Sequence, residues 1–269
     1  MSRPEDPPLR VDVAGGVATV TIDRPAARNA YSYAVERAWH DALDAADADP
    51  DIRCVVLTAT GDAFCPGFDP EAMAAAVVHG ADTAGRSDRP FHHAVTRSVP
   101  VIGAINGACA GVGLALALTC DIRVAAAEAR FSTAFAPLGL PAERGSSWLL
   151  PRIVGHSRAL ELMLTARSFD AAEARAIGLV HDVTPRADLP RHAAALAARL
   201  VARGSPAALA TIKRQLYRDW TVALRESTRQ ANADLELLVA GPDFRRAMRA
   251  RADGTYADFT PSTRPQEDS

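Results

Sequence analysis

Between residues 53 and 126 the chain alternates short apolar runs with helical or turn-rich stretches, and this alternation limits its fold more than any other feature. The runs are RCVVLT (residues 53–58), VIGAI (Val101–Ile105) and DIRVAA (residues 121–126). Strand–helix–strand order predicts crossover units around a largely parallel sheet, because parallel neighbours need a long connection. Upstream, residues 11–13 and 17–22 alternate apolar and polar side chains across Gly15-Gly16. That pattern predicts a hairpin whose glycines supply positive φ. Residues 32–48 carry Val35, Trp39, Leu43 and Ala46 at helical spacing, with Ser32 as N-cap. Residues 61–70 read as loop, 71–78 as helix, 79–90 as a polar surface segment and 91–97 as helical. After residue 145 helices are expected over 157–165, 171–177, 188–202, 206–217 and 222–239, interrupted by a strand over 178–183. The expected organisation is an α/β core over residues 1–200 and a helical region over 201–269, loosely ordered after Asp253.

Composition excludes several function classes. A chain of 269 residues with 48% hydrophobic and 23% charged content has enough apolar material for a sizeable core. A formal net charge of −2 provides no global field for nucleic acid or an acidic membrane. No apolar stretch approaches the roughly 18 residues that span a bilayer, and the N-terminus has no apolar signal core. Cys54, Cys65, Cys109 and Cys120 form no CxxC pair and no metal spacing with histidine. A reducing, cytoplasmic setting without a bound metal is the expectation.

Chemistry has to be sought in the glycines. NGACAGVGLALALTCD (residues 106–121) puts three glycines where a strand turns into a helix, and its first carboxylate is Asp121. No Gly-Lys-Ser/Thr follows, and the spacing does not fit a dinucleotide fingerprint. A glycine-rich turn opening a helix exposes backbone N–H groups that have no internal acceptor. It can bind an oxyanion, or it can serve only tight helix–sheet packing. AFCPGFD (residues 63–69) is a second strand-to-helix loop with a central glycine. Two such loops after neighbouring strands can aim two amides at one carbonyl oxygen, each donor being worth about 3 kcal/mol.

IDRPAARNA (residues 22–30), AFCPGFD and INGACAGVGLALALTCDIRVA (residues 105–125) resemble three successive motifs of the enoyl-CoA hydratase/isomerase family, the crotonase superfamily. FSTAFAPLGLPAERGSSWLLPRIVG (residues 131–155) and AAEARAIGLVHDV (residues 171–183) extend the resemblance, which covers residues 9–245. It implies a crotonase-like β-β-α superhelix core with a helical C-terminal trimerisation region. The chain would be a homotrimer or dimer of trimers. Its substrate would be an acyl-CoA thioester, with coenzyme A present only as part of that substrate and no separate cofactor. The oxyanion donors carry over to the backbone N–H groups of Phe68 and Val112. Phe68 stands where a small residue is frequent and Val112 where glycine is frequent, and both narrow the acyl site.

The resemblance also implies a departure. The two glutamates that handle water in the family's hydratases fall on Ala115 and Phe135, neither of which can transfer a proton. Glu143 lies where relatives that move double bonds carry an acidic residue, and it is the candidate acid/base. Its structural alternative is a turn cap, or a partner for Arg144 or Arg152. Asp69 is expected to cap a helix, His92 and His93 to lie at the surface or in packing, and Cys65 to be an inert thiol. Tyr31 either lines the acyl tunnel or is a core aromatic. For coenzyme A, Arg28 would meet a phosphate, and the backbone around Ala30, Phe64 and Pro66 would hold the adenine and pantetheine. Arg251 and Gly254 stand where many members of the family carry a phenylalanine and a lysine that meet CoA from a neighbouring subunit, so that contact is altered or absent. Arg245, Arg246, Arg249 and Arg251 either replace that contact or form a solvated helix face. Three readings follow: an isomerase- or lyase-like acyl-CoA enzyme, a non-catalytic acyl-CoA-binding protein, and a thioester hydrolase.

Overall fold

Gly15 and Gly16 adopt φ of +57° and +78°, the pair of positive values that a two-residue hairpin turn demands. They join β1 (Leu9–Ala14) to β2 (Val17–Ile22) in antiparallel register. The computed structural model that gives this geometry describes residues 7–69, 73 and 87–261. The helix expected over residues 71–78 and most of the polar segment after it lie outside the described residues.

The next three passes of the chain each lay down two strands. They are β3 (Cys54–Ala59) then β4 (Ala63–Cys65), β5 (Val101–Ile105) then β6 (Ala108–Ala110), and β7 (Ile122–Ala126) then β8 (Arg130–Ser132). The first member of each pair joins one sheet and the second joins another. With β9 (Phe169–Asp170) and β10 (Asp182–Thr184), the sheets run β1-β2-β3-β5-β7-β10 and β4-β6-β8-β9. All pairings among the described residues are parallel except β1 with β2 and β8 with β9. The chain therefore winds as a superhelix with one sheet on each side.

Among the described residues, helices connect these strands and continue after the last of them. They are α1 (Tyr33–Ala48), α2 (His93–Thr96), α3 (Val112–Leu118), α4 (Ser146–Val154), α5 (His156–Thr165), α6 (Ala171–Ala176), α7 (Leu189–Arg203), α8 (Pro206–Arg218), α9 (Leu224–Ala240) and α10 (Pro242–Ala252). Ser32 caps α1 by accepting from the Val35 amide at 3.3 Å, as its position predicts. Alternation along β3 divides the core. Val55 and Leu57 face Trp39 and Leu43 of α1, while Cys54 and Val56 face Ala193, Ala197 and Val201 of α7. The boundary expected at residue 200 thus falls inside α7, a helix that packs on the larger sheet.

Four local expectations are corrected. The 61–70 and 106–121 stretches each contain a three-residue strand, β4 and β6, held by pairing with one another. The strand expected over 178–183 begins only at Asp182, because Leu179 and Val180 are buried core plugs after α6. Helix α4, with Pro151 inside it, was not expected. The chain after Asp253 packs back as far as residue 261. Phe259 is 5% exposed, its N–H donates to the Ala202 carbonyl, and its own carbonyl accepts from Arg53.

Lys213, the sole lysine of the chain, pins α8 to the sheets. Its buried ammonium donates to the carbonyls of Ala94 and Val99 at 2.8 and 2.9 Å and pairs with Asp121 at 2.8 Å. Asp121 also accepts from the Val101 amide and the Tyr217 hydroxyl. No helix among the described residues is long and apolar enough to cross a membrane.

Candidate active site at the ends of three parallel strands

Strands β4, β6 and β8 lie side by side and parallel, with Cys65 opposite Cys109 and Cys109 opposite Phe131. Neighbouring strands are about 4.8 Å apart. Phe68 follows Cys65 by three residues, Val112 follows Cys109 by three, and Phe135 follows Phe131 by four. All three therefore leave the carboxyl ends of adjacent strands, the edge at which open parallel sheets bind ligands.

Two asparagines and Gly107 tie the amino ends of β4 and β6 together, and Gly113 locks the carboxyl end of β4 to α3. The Asn29 amide nitrogen donates to the carbonyls of Thr60 and Ala63, both at 2.8 Å, while its oxygen accepts from the Arg24 amide. The Asn106 amide nitrogen reaches the Gly61 carbonyl at 3.0 Å. A Cβ on Gly107 would fall 1.8 Å from the Asp62 carbonyl oxygen, and one on Gly113 would fall 2.0 Å from that of Cys65. The two glycines thus allow main chain to lie on main chain. The three sequence motifs are one physical object.

The amides of Phe68 and Val112 are available within this frame. Tyr31 bridges Phe68 in parallel fashion: the Tyr31 amide donates to the Gly67 carbonyl, and the Asp69 amide donates to the Tyr31 carbonyl, each at 2.8 Å. In such a ladder the flanked residue turns its own N–H to the opposite side, so the Phe68 amide points away from Tyr31. Val112 is the first residue of α3, where no preceding helical carbonyl reaches its amide. Gly111, at φ +53° and ψ −121°, makes the sharp turn before it. Neither amide donates to an acceptor among the described residues. Such an arrangement can stabilise a negatively charged carbonyl oxygen.

The residues expected to line the acyl site are apolar. Ala115 is fully buried one turn into α3, and Phe135 is 4% exposed. Tyr31 is buried and half-buried Phe68 stands against it, with ring centroids 5.9 Å apart; the Tyr33 ring meets Phe68 edge-on at 5.5 Å. Burial, with the nearby Glu36 carboxylate, pushes the Tyr31 phenol far above its ordinary range, so it stays neutral. Cys65 is buried, and burial pushes its thiol up to about 11, as expected of an inert thiol.

Glu143 is half-buried on the segment before α4. Its carbonyl accepts from both the amide and the hydroxyl of Ser146, at 3.0 and 2.6 Å. Its carboxylate makes no hydrogen bond or ion pair among the described residues. Arg144 pairs with Glu36, and Arg152 stacks on Trp148, so neither of the expected structural partners binds Glu143. No sequence motif marks Glu36; its one signal in the sequence is a carboxylate on the apolar face of α1, beside Val35 and ahead of Trp39.

The residues expected to hold coenzyme A sit differently from one another. Arg28 is exposed at φ +50°. The Ala30 amide donates to Ala27, and its carbonyl accepts from Arg24 at 2.6 Å, so that loop is braced from within. The Phe64 side chain is fully buried, leaving only its backbone for a ligand, and Pro66 is half-buried. Asp69 pairs with Arg24 at 3.1 Å. His92 is exposed, while His93 is packed against His40 and bound to Asp44 at 2.6 Å. Arg245, Arg246, Arg249 and Arg251 all lie exposed on α10.

Comparisons with known proteins agree with this fold. The family model described as enoyl-CoA hydratase/isomerase matches residues 12–255. The chain is 37% identical over 258 residues to a probable enoyl-CoA hydratase of Rhodobacter capsulatus, covering 94% of this chain and 97% of that one. It is 35% identical over 193 residues to the 1,2-epoxyphenylacetyl-CoA isomerase of Escherichia coli, covering 70% and 74%. Among solved structures, a probable enoyl-CoA hydratase/isomerase from Mycobacterium abscessus superposes with a TM-score of 0.85 at 30% identity, covering 93% and 97%.

Proposed function

The chain belongs to the enoyl-CoA hydratase/isomerase family, and from that premise we propose that it binds an acyl-CoA thioester whose carbonyl oxygen accepts hydrogen bonds from the Phe68 and Val112 amides. Charge passing to that oxygen as a proton leaves the acyl chain would be stabilised there as an enolate. Glu143 is the proton carrier in this reading. The single observation that carries it is the pair of unengaged amides at the ends of adjacent parallel strands, locked by the Gly113–Cys65 contact. An uncommitted carboxylate at Glu143 supplies the second requirement, since general acid–base catalysis needs a group free to exchange its proton.

Isomerisation or another one-carboxylate reaction fits better than simple hydration, because Ala115 and Phe135 supply no second acid. Coenzyme A enters as part of the substrate, and the chemistry calls for no further cofactor. Arg28 and the backbone around Ala30, Phe64 and Pro66 are assigned to its polar end. A homotrimer or dimer of trimers accompanies this reading. Helices α9 and α10 bury no residue, and Leu224, Leu235, Leu237 and Phe244 are exposed along them. Sedimentation velocity tests that assignment.

Incubation with acetyl-, butyryl- and phenylacetyl-CoA in D2O, followed by mass spectrometry, tests the chemistry. The expected result is α-deuterium incorporation that Glu143→Gln abolishes while binding of the thioester persists. The buried apolar pair at Ala115 and Phe135 also favours a second reading, a protein that binds acyl-CoA without turning it over. Tight binding with no exchange and no turnover of enoyl or hydroxyacyl thioesters would establish it. Release of free CoA would instead point to thioester hydrolysis.

A further inference from the structure

Glu36 is the one buried carboxylate among the described residues. Its side chain is 1% exposed and faces Arg144, itself 9% exposed, at 3.2 and 3.4 Å from the two carboxylate oxygens. The partners are 108 positions apart, on α1 and on the segment before α4. Replacing a buried ion pair by apolar residues is often neutral or stabilising, so stability alone is a weak reason for this one.

What the pair holds is more informative. Arg144 directly follows Glu143, and its backbone is left-handed at φ +58°, with Gly145 at +78° behind it. A residue with a Cβ in that region costs of order 1 kcal/mol and persists where its surroundings fix it. The surroundings here are the Glu36 carboxylate and three aromatic rings. The guanidinium carbon is 5.1 Å from the Phe91 ring centroid, 5.9 Å from that of Tyr31 and 6.0 Å from that of Tyr33. The Tyr31 and Tyr33 rings in turn touch Phe68, and the Tyr31 backbone is bonded on both sides of Phe68. A continuous set of contacts therefore runs from Glu143 through Arg144 and Tyr31 to the Phe68 amide. On the Glu143 side, Ser146 clasps the carbonyl from the other direction.

We propose that the Glu36–Arg144 ion pair is a positioning device that sets where the Glu143 carboxylate stands relative to the Phe68 amide. Neither member touches the thioester. The inference rests on the reading of Glu143 as proton carrier: its carboxylate takes the α-proton, the C–H electron pair becomes the enolate double bond, and the carbonyl oxygen takes the charge. Misplacing that carboxylate by about 1 Å is enough to cost up to 100-fold in rate.

The test uses α-deuterium exchange with acetyl-, butyryl- and phenylacetyl-CoA, with thermal unfolding measured on the same samples. Arg144→Met leaves a buried carboxylate unpaired and lowers Tm. The double variant Glu36→Leu/Arg144→Met removes both charges and recovers Tm. The expected result is that its exchange kcat nonetheless stays about tenfold or more below wild type with KM unchanged, because the ion pair no longer fixes residue 144. Arg144→Lys, which keeps the charge, recovers part of kcat. A double variant that exchanges at the wild-type rate overturns this inference and leaves the proton-carrier reading standing, provided Glu143→Gln is inactive. Wild-type exchange by Glu143→Gln, or none by the native protein, overturns both.

Discussion

Gly113 lies so close to the main chain of Cys65 that a Cβ at position 113 would sit 2.0 Å from the Cys65 carbonyl oxygen. This contact couples the two loops whose amides are proposed to bind the acyl oxygen. Real side-chain carbons do not approach a backbone oxygen so closely, and here the obstacle is main chain on a paired strand, which cannot rotate aside.

Gly113→Ala should therefore shift α3 away from β4. Overpacking costs about 1–3 kcal/mol where side chains can yield, and more is expected against backbone. Thermal unfolding should show a large fall in Tm. Gly61 offers the control, because it has no neighbour within 4 Å of a built Cβ and needs only a left-handed φ of +69°. Asparagine tolerates that region, so Gly61→Asn should unfold close to wild type.

Lys213→Met tests how the C-terminal helices are held. The substitution removes an ammonium that satisfies two carbonyls and faces Asp121. Breaking a buried pair from one side costs about 3–5 kcal/mol. Urea unfolding should show a loss of that order. Arg191 pairs with Asp188 in the open, at 82% and 45% side-chain exposure, so Arg191→Ala should cost less than about 1 kcal/mol.

A pH dependence follows from His40. Burial first, then neighbouring His93 and Arg89, lower its pKa from 6.5 to about 4, against the opposing pull of Asp44 and Asp41. Its Nδ1 shares a hydrogen bond with the Ser87 hydroxyl at 2.7 Å. The folded protein resists a proton that the unfolded chain accepts. Stability is therefore full above about pH 6.5 and falls as the pH drops toward 4. Between pH 7 and 4.5 the native protein should lose about 2–3 kcal/mol more than His40→Gln. Urea midpoints across that range measure the difference, and parallel curves for the two proteins would refute it.

The elements legible in the sequence are those fixed by local physics. Gly15-Gly16 announces its turn because only positive φ closes it, and α1 shows its buried face through Val35, Trp39 and Leu43. What was not legible depends on partners far away in the chain. Strands β4 and β6 have three residues each, too few to display a period, and exist because they pair. Pro151 masks α4, whose burial of Leu149 and Leu150 outweighs the lost hydrogen bond. The docking of Phe259 against Ala202 cannot be read from a polar tail. For the site, the glycine loops suggest a pair of amides, the family resemblance assigns them to Phe68 and Val112, and the register of β4 against β6 puts their strands side by side. Glu36 went unnoticed because its partner is 108 residues away.

The central claim is that two peptide amides polarise one acyl oxygen. Isotope-edited infrared difference spectroscopy of acetyl-CoA labelled with 13C at the thioester carbonyl tests it directly. Two strong donors should move the carbonyl stretch of the bound ester to lower frequency than in water, with Glu143→Gln retaining the shift. A bound ester whose carbonyl absorbs at the frequency of free acetyl-CoA, or higher, would contradict the account.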